Sequence, residues 1–283
     1  MNYICLNGEI LPAKHAKLSF TNRAFRYGEG IVEEMRSSGI RVPFFSAHFQ
    51  RLSKALTILG ISYISTFTED DLRRSVELLI HRKKLYNINK VRMTFWREDD
   101  DNLLAENVKV QYLIEAEALD EREFTLNEKG YNTDFFSGAY KSKSYLSSFR
   151  TTDSLFTLQA LRFAQQEKID TCIITNPEGI IVEEATSNIF FANGKTIYTP
   201  SLKLGCVDGI MRRVVLDIAQ QAGYKIADTE PLSPPLIKEV EEVFLTDDVY
   251  GIRWIVGYKN KRFRLRRSVD FVKQLNQIFN KEY

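Results

Sequence analysis

The clearest pattern along the chain is a series of short apolar runs separated by turn residues, between residues 171 and 223. Thr171-Cys172-Ile173-Ile174-Thr175 reads as a buried strand and Asn176-Pro177-Glu178-Gly179 as a turn. Ile180-Ile181-Val182 is a second run, ended by the acidic pair Glu183-Glu184, and Ile189-Phe190-Phe191 is a third. Asn193-Gly194 is a strong hairpin signal, with Thr196-Ile197-Tyr198-Thr199 as the return strand and Pro200 closing it. A loop from Gly205 to Gly209 then leads into a helix over residues 210–222, ended by Gly223.

The rest of the chain alternates helical and extended patterns in the same way. Tyr3-Ile4-Cys5-Leu6, Asn7-Gly8 and Glu9-Ile10-Leu11-Pro12 form a hairpin. Ser46 is placed to cap a helix carrying His48, Arg51 and Leu52. Thr68-Glu69-Asp70-Asp71 starts another, with Leu72, Val76, Leu79 and Ile80 at helical spacing. Residues 90–97 and 108–114 alternate as strands, joined by a loop that opens with Glu98-Asp99-Asp100-Asp101-Asn102. Residues 115–123 are charge-rich, as a linker would be. Beyond them come a strand and turn over 130–138 and a helix over 152–166 that offers Leu155, Leu158, Leu161 and Phe163 for packing. A proline-marked stretch at 230–235 precedes a short helix, Val243-Phe244-Leu245 is a strand, and Tyr250 to Ile255 continues as another. Val272, Leu275 and Phe279 mark a terminal helix. There is no repeat and no low-complexity segment. The pattern is that of an α/β (α+β) chain of two domains.

Composition narrows the choice of function. The 283 residues are 44% hydrophobic and 27% charged, ordinary for a soluble globular protein. A net charge of +2 argues for no polyanionic partner. Residues 259–267 interleave Arg with Phe263 and Leu265, which a solvated edge strand explains better than nucleic acid. No apolar run approaches the roughly 18 residues of a membrane span, and the first residues lack the features of a signal peptide. Cys5, Cys172 and Cys206 form no C-x-x-C motif, which points to a reducing, cytoplasmic setting. The three histidines show no metal-ligand spacing, so no metal site is expected.

Candidate chemistry centres on residues 183–212. A carboxylate ending a buried strand is costly unless it has a partner, and a glycine opening a helix exposes N–H groups that suit a phosphate. Together they suit a ligand with a protonatable ring nitrogen at one end and a phosphate at the other. Glu184, on the other side of the extended chain from Glu183, reads as a solvated carboxylate.

The segment V-E-E-A-T-S-N-I-F-F resembles the E-x-x-x-x-N-[ILV]-F signature of the fold-type IV, or class IV, aminotransferase family. These enzymes use pyridoxal 5'-phosphate and include branched-chain and D-amino-acid aminotransferases and aminodeoxychorismate lyase. Cys206-Val207-Asp208-Gly209-Ile210-Met211-Arg212 resembles the family's phosphate loop. Asn22 to Gly30 resembles D-R-x-x-x-Y-G-D-G-x-F-E, with Ile31-Val32-Glu33 at its end, and His48 to Leu52 resembles H-x-x-R-L. Val243 to Asp248 resembles the strand and turn F-L-T-[NS].

The resemblance implies a smaller α/β domain at 1–118, a linker at 119–124, and a larger domain with a barrel-like sheet at 125–283. The cofactor would sit between the domains of a homodimer and act on an amino-acid-like small molecule. Arg51 would bind the cofactor phosphate and Glu183 the pyridine nitrogen. Asn188, Gly209, Ile210, Met211, Thr246 and Asp247 complete the implied cofactor set. Family glycine loops and basic residues that hold substrate carboxylates are met here by the acidic loop at 98–101, which reads as solvated.

One departure is at the lysine that forms a Schiff base with the cofactor aldehyde. Its expected position, 33 residues before Glu183, is held by Arg150, and a guanidinium is not an amine nucleophile. Lys141-Ser142-Lys143-Ser144-Tyr145-Leu146 superficially resembles a K-S-x-x-Y-L form of the lysine motif, but Lys141 is 42 residues before Glu183. Three readings stand: an aminotransferase or lyase in which Lys141 or Lys143 reaches the cofactor, a diverged protein that binds cofactor or another phosphorylated ligand without a Schiff base, and a scaffold with an empty pocket.

Overall fold

Period-two alternation builds the first sheet. The computed structural model describes residues 2–98 and 109–281, so positions 99–102 of the acidic loop lie outside it, as does Val108 at the start of the next expected strand. Strands β1 (Tyr3–Leu6) and β2 (Glu9–Pro12) make the hairpin expected around Asn7-Gly8. Strands β3 (Gly30–Ser38), β4 (Ile88–Arg97) and β5 (Val110–Ala118) pair antiparallel along their length. The order is β2-β1-β5-β4-β3-β7, where β7 is the two-residue strand Arg150–Thr151.

Helices α2 (Phe45–Ile58) and α3 (Glu69–Lys83) pack on this sheet, and α1 (Arg23–Tyr27) precedes β3. Leu52, Leu56, Leu72, Val76, Leu79 and Ile80 meet Met35, Met93 and Phe95 in one core. Helix α3 starts where Thr68 to Asp71 predict, and Thr68 and Asp71 close a capping box there. Ser46 is not a cap: α2 begins one residue earlier after a left-handed Phe44 (φ 61°), and the Ser46 hydroxyl donates to Glu69 at 2.6 Å. Phe149 inserts into the same core, and β7 pairs with β3. Residues 149–153 therefore join the first unit, which otherwise ends at Arg122.

The second unit comprises Glu123–Ser148 and Ser154–Lys281. Its sheet follows the order β12-β11-β10-β13-β14-β6-β8-β9, with β15 on β14. The strands are β6 (Tyr131–Phe135), β8 (Thr171–Thr175), β9 (Ile181–Glu184), β10 (Asn188–Asn193), β11 (Thr196–Tyr198), β12 (Lys225–Ala227), β13 (Glu242–Asp247), β14 (Gly251–Tyr258) and β15 (Lys261–Arg262). The sheet curls, so that β9 at one end of the order lies beside β10. Its helices are α4 (Leu155–Gln166), α5 (Ile210–Gln221), α6 (Leu236–Glu239) and α7 (Arg267–Lys281).

Two expectations about this unit need correction. On α4 the packing face is Ala160 and Ala164 with Phe156 and Phe163, whereas Leu155 and Leu158 are 64% and 55% exposed. Both arcs have helical spacing, and the small alanines present the flatter surface to β8. The basic segment after residue 258 contributes only two residues to an edge strand. Arg267 is instead buried in α7 and paired with Glu241 at 2.6 Å. Glu242, fully buried, accepts from the Arg267 and Ser268 N–H groups at 2.8 and 3.0 Å and so holds the start of α7. Among the described residues no helix is long and apolar enough to cross a membrane.

Candidate active site

Strand β9 carries both acidic residues into the interior. Glu183 is 7% exposed and Glu184 2% exposed, so Glu184 is not the solvated carboxylate expected. It is satisfied locally: the Thr171 hydroxyl donates to one oxygen, and the Thr186 N–H and hydroxyl donate to the other at 3.0 and 3.1 Å. Burial outweighs these hydrogen bonds and raises its proton affinity above that of an ordinary carboxylate. Glu183 is anchored differently. Its Oε2 accepts the Val207 N–H at 3.0 Å, and its Oε1 accepts the Lys141 ammonium.

The segment around Lys141 is built against the loop at 205–208. The Lys141 N–H donates to Thr175 O at 3.0 Å, and Asp208 N–H to Ser148 O at 3.0 Å. Gly205 (φ 103°) lies so close that a Cβ there would sit 2.7 Å from Ser142 O. Beside the loop is Cys206, whose thiol is pushed up to about 11, chiefly by burial.

Gly209 stands immediately before α5 as its N-cap and has no side chain with which to cap it. A Cβ at Gly209 would run into Asn188 Oδ1. Asn188 is held by donating its Nδ2 to Val207 O at 2.8 Å. It pairs directly with Thr246 across β10 and β13, so both side chains project to the same face of the sheet. The Thr246 hydroxyl is buried and has no hydrogen-bond partner among the described residues, which is costly unless something else supplies one. The Met211 N–H is taken by Asp248 Oδ1 at 2.8 Å, and Asp247 Oδ1 closes the following turn by accepting from Val249 and Tyr250 at 2.8 and 3.0 Å. Ile210 and Met211 are buried in the first turn of α5. Lys141, Glu183, Asn188, Gly209 and Thr246 thus converge within the second unit.

Arg51 and Arg150 belong to the first unit. Arg51 is held in a fork by Glu33, with Nε to Oε1 at 2.9 Å and Nη2 to Oε2 at 2.7 Å, while His48 Nδ1 lies 2.9 Å from Oε2. Burial favours the protonated form of Glu33, but the charge of Arg51 and the hydrogen bonds from His48 and Arg51 together outweigh it and hold the carboxyl below its usual range.

Arg150 pairs with Val32 on β3, so it lies on the opposite face from Glu33, beside Glu34. Glu34 is contacted by Lys90 and Arg92, each at 2.9 Å. Burial again opposes, yet Lys90, Arg92 and Arg150 together lower its proton affinity. Gly28 and Gly30 serve this neighbourhood too: Cβ atoms would lie 3.1 Å from Asp153 Cβ and 2.7 Å from Thr152 Cγ2. Glu34, Lys90 and Arg92 were not singled out from the sequence; period-two alternation along β3 and β4 was the signal available for placing them on one face.

Residues 30–257 match the family described as amino-transferase class IV. A branched-chain-amino-acid aminotransferase of Pseudomonas aeruginosa is 23% identical over 267 residues, covering 90% of this chain and 85% of that protein. An aminodeoxychorismate lyase of Bacillus subtilis is 24% identical over 252 residues, covering 88% and 84%. Among solved structures, a branched-chain aminotransferase from Thermoproteus uzoniensis superposes with a TM-score of 0.90 at 20% identity, covering 99% of this chain and 96% of that one. The fold is therefore fold-type IV, and the family match spans most of the chain: it belongs to the class IV aminotransferases and is an aminotransferase or lyase of that family.

Proposed function

We propose that this enzyme holds pyridoxal 5'-phosphate and acts on an amino acid or an aminodeoxychorismate-like substrate. The observation that carries the reading is the cup at the start of α5. A side chain at Gly209 would collide with Asn188, and the buried Thr246 hydroxyl lacks a partner among the described residues on that same face. A phosphate would supply that acceptor and would meet the positive end of the α5 dipole. Glu183 would face the ring nitrogen, with the Val207 N–H fixing its other oxygen. Ile210 and Met211 would line the cup through the first turn of α5, and Asp247 would shape the turn beside it. Arg51, to which the resemblance gives a phosphate role, is held by Glu33 in the first unit.

The bound cofactor supplies an electron sink for the substrate Cα–H electrons. The chain's part is to hold the two ends, to keep the ring nitrogen opposite a carboxylate and to orient the substrate. Arg150 stands where the family's lysine is expected, and Lys141 is the candidate replacement raised by the sequence. A homodimer is consistent with the exposed Leu155, Leu158 and Leu161 along one arc of α4, and a cytoplasmic location with three free cysteines.

The test is to load the purified protein with pyridoxal 5'-phosphate and supply branched-chain L-amino acids with 2-oxoglutarate, and separately aminodeoxychorismate. Product formation above that of the Glu183→Ala variant is expected with one of them. A protein that binds no cofactor at millimolar concentration would refute the reading.

A further inference from the structure

We infer that Lys141 is the resident counter-ion of Glu183, competing with the cofactor ring nitrogen for that carboxylate, and is not the amine that links to the cofactor. The inference rests on the function proposed above and deepens it. The two Glu183 oxygens are divided between the Val207 N–H and the Lys141 ammonium. Both partners come from segments packed on each other: Gly205 has no room for a side chain against Ser142, and Ser147 Oγ donates to Ser142 O at 2.8 Å. Lys141 is therefore held at this place by its own backbone rather than lying there as one rotamer of a surface lysine. Its side chain is 17% exposed and that of Glu183 10%.

In a pyridine ring the nitrogen and the carbon bearing the aldehyde are on opposite sides. A lysine seated on the carboxylate that faces the nitrogen is at the wrong end to reach the aldehyde. It is at the right place to neutralise Glu183. Cys206, whose thiol is pushed up to about 11, chiefly by burial, also feels this carboxylate, and Arg212 lies near that thiol. The Arg212 guanidinium donates through Nη2 to Pro200 O at 3.0 Å, with Asp228 at 3.9 Å. Lys141 is thus the cation that sets how much negative charge Glu183 offers to an incoming ring nitrogen. It acts through Glu183 and is a positioning residue.

A cation in contact with a carboxylate offsets its attraction for a second positive charge, so removing the cation strengthens the carboxylate's hold on a protonated ring nitrogen. The experiment uses pyridoxamine 5'-phosphate, which has no aldehyde and so reports on the ring and phosphate contacts alone. Its affinity is measured by calorimetry for the wild type, Lys141→Met, Lys141→Gln, Lys141→Arg and Glu183→Gln with and without Lys141→Met. The pH at which the bound ring loses its proton is followed by absorbance. The expected result is binding about tenfold tighter for Lys141→Met and Lys141→Gln, with ring protonation persisting to higher pH. Lys141→Arg should behave as wild type, and Lys141→Met should have no effect in the Glu183→Gln background. Borohydride treatment of the protein loaded with pyridoxal 5'-phosphate should leave peptides containing residue 141 unlabelled.

Equal or weaker binding by the neutral variants, or a label on Lys141, overturns the assignment while leaving the cofactor reading intact. Failure of both wild type and variants to bind pyridoxamine 5'-phosphate overturns both.

Discussion

Replacing Glu33 by Gln tests how the first unit holds the buried, forked Arg51. Glu33 is fully buried, Arg51 is 7% exposed, and both guanidinium contacts are charge-assisted. Gln keeps the shape but removes the negative charge, leaving a guanidinium inside with at most one amide oxygen. Breaking a buried pair from one side costs about 3–5 kcal/mol. Surface pairs are worth about 0–1 kcal/mol, so the burial decides the size of the effect. The assay is urea unfolding followed by Trp96 fluorescence in a Trp254→Phe background, so that the buried Trp96 reports the first unit alone.

The pH dependence gives a second check. The folded carboxyl lies below its usual value, for the reasons given above. Its contribution is present above the unfolded value, about 4.3, and is lost as pH falls through the folded value. The gap between wild type and Glu33→Gln should therefore be full at neutral pH and close in acid. A difference under about 1 kcal/mol at pH 7, the size of a surface pair, or a gap that stays constant into acid, would refute the reasoning.

Four further outcomes follow from the same geometry. Gly209→Ala should cost about 1–3 kcal/mol in thermal unfolding through its clash with Asn188, and should weaken binding of pyridoxamine 5'-phosphate more than tenfold, by the displaced α5 turn. Arg150→Lys should create a borohydride-stable label that maps to residue 150 in protein loaded with pyridoxal 5'-phosphate; no label there would mean that the residue does not stand at the aldehyde. Glu184→Gln should gain on wild type as pH rises from acid to neutral, because a raised folded value makes the native carboxyl a growing burden over that window; parallel pH–stability curves would count against it. Leu158→Glu should lower the mass seen by light scattering from about twice 32.8 kDa to 32.8 kDa; an unchanged mass would remove α4 from the subunit contact.

What was legible in the sequence was local. The turn at Asn193-Gly194 and the helix start at Thr68 to Asp71 involve neighbours in sequence, so the residues that specify them are adjacent. The same holds for the start of α5 after Gly209, where a missing Cβ and a helix dipole are properties of a few consecutive residues. The E-x-x-x-x-N spacing carried Glu183 and Asn188 together because both lie at the ends of adjoining strands.

Tertiary structure decided the rest, because each remaining feature depends on chains distant in sequence. Nothing near residue 150 announces that Phe149 will enter the core of the first unit and that Arg150 will pair with Val32. The apolar residues of α4 supply two arcs at the same period, and only contact with β8 selects the alanine and phenylalanine arc over the leucines. Glu184 looks solvated until Thr171, from another strand, donates to it. The ion pair between Lys141 and Glu183 joins residues 42 apart through a loop that has no regular period of its own. A hydrogen bond or an ion pair is set by distance in space, and the sequence alone determines that distance only where the connecting backbone is short or regular.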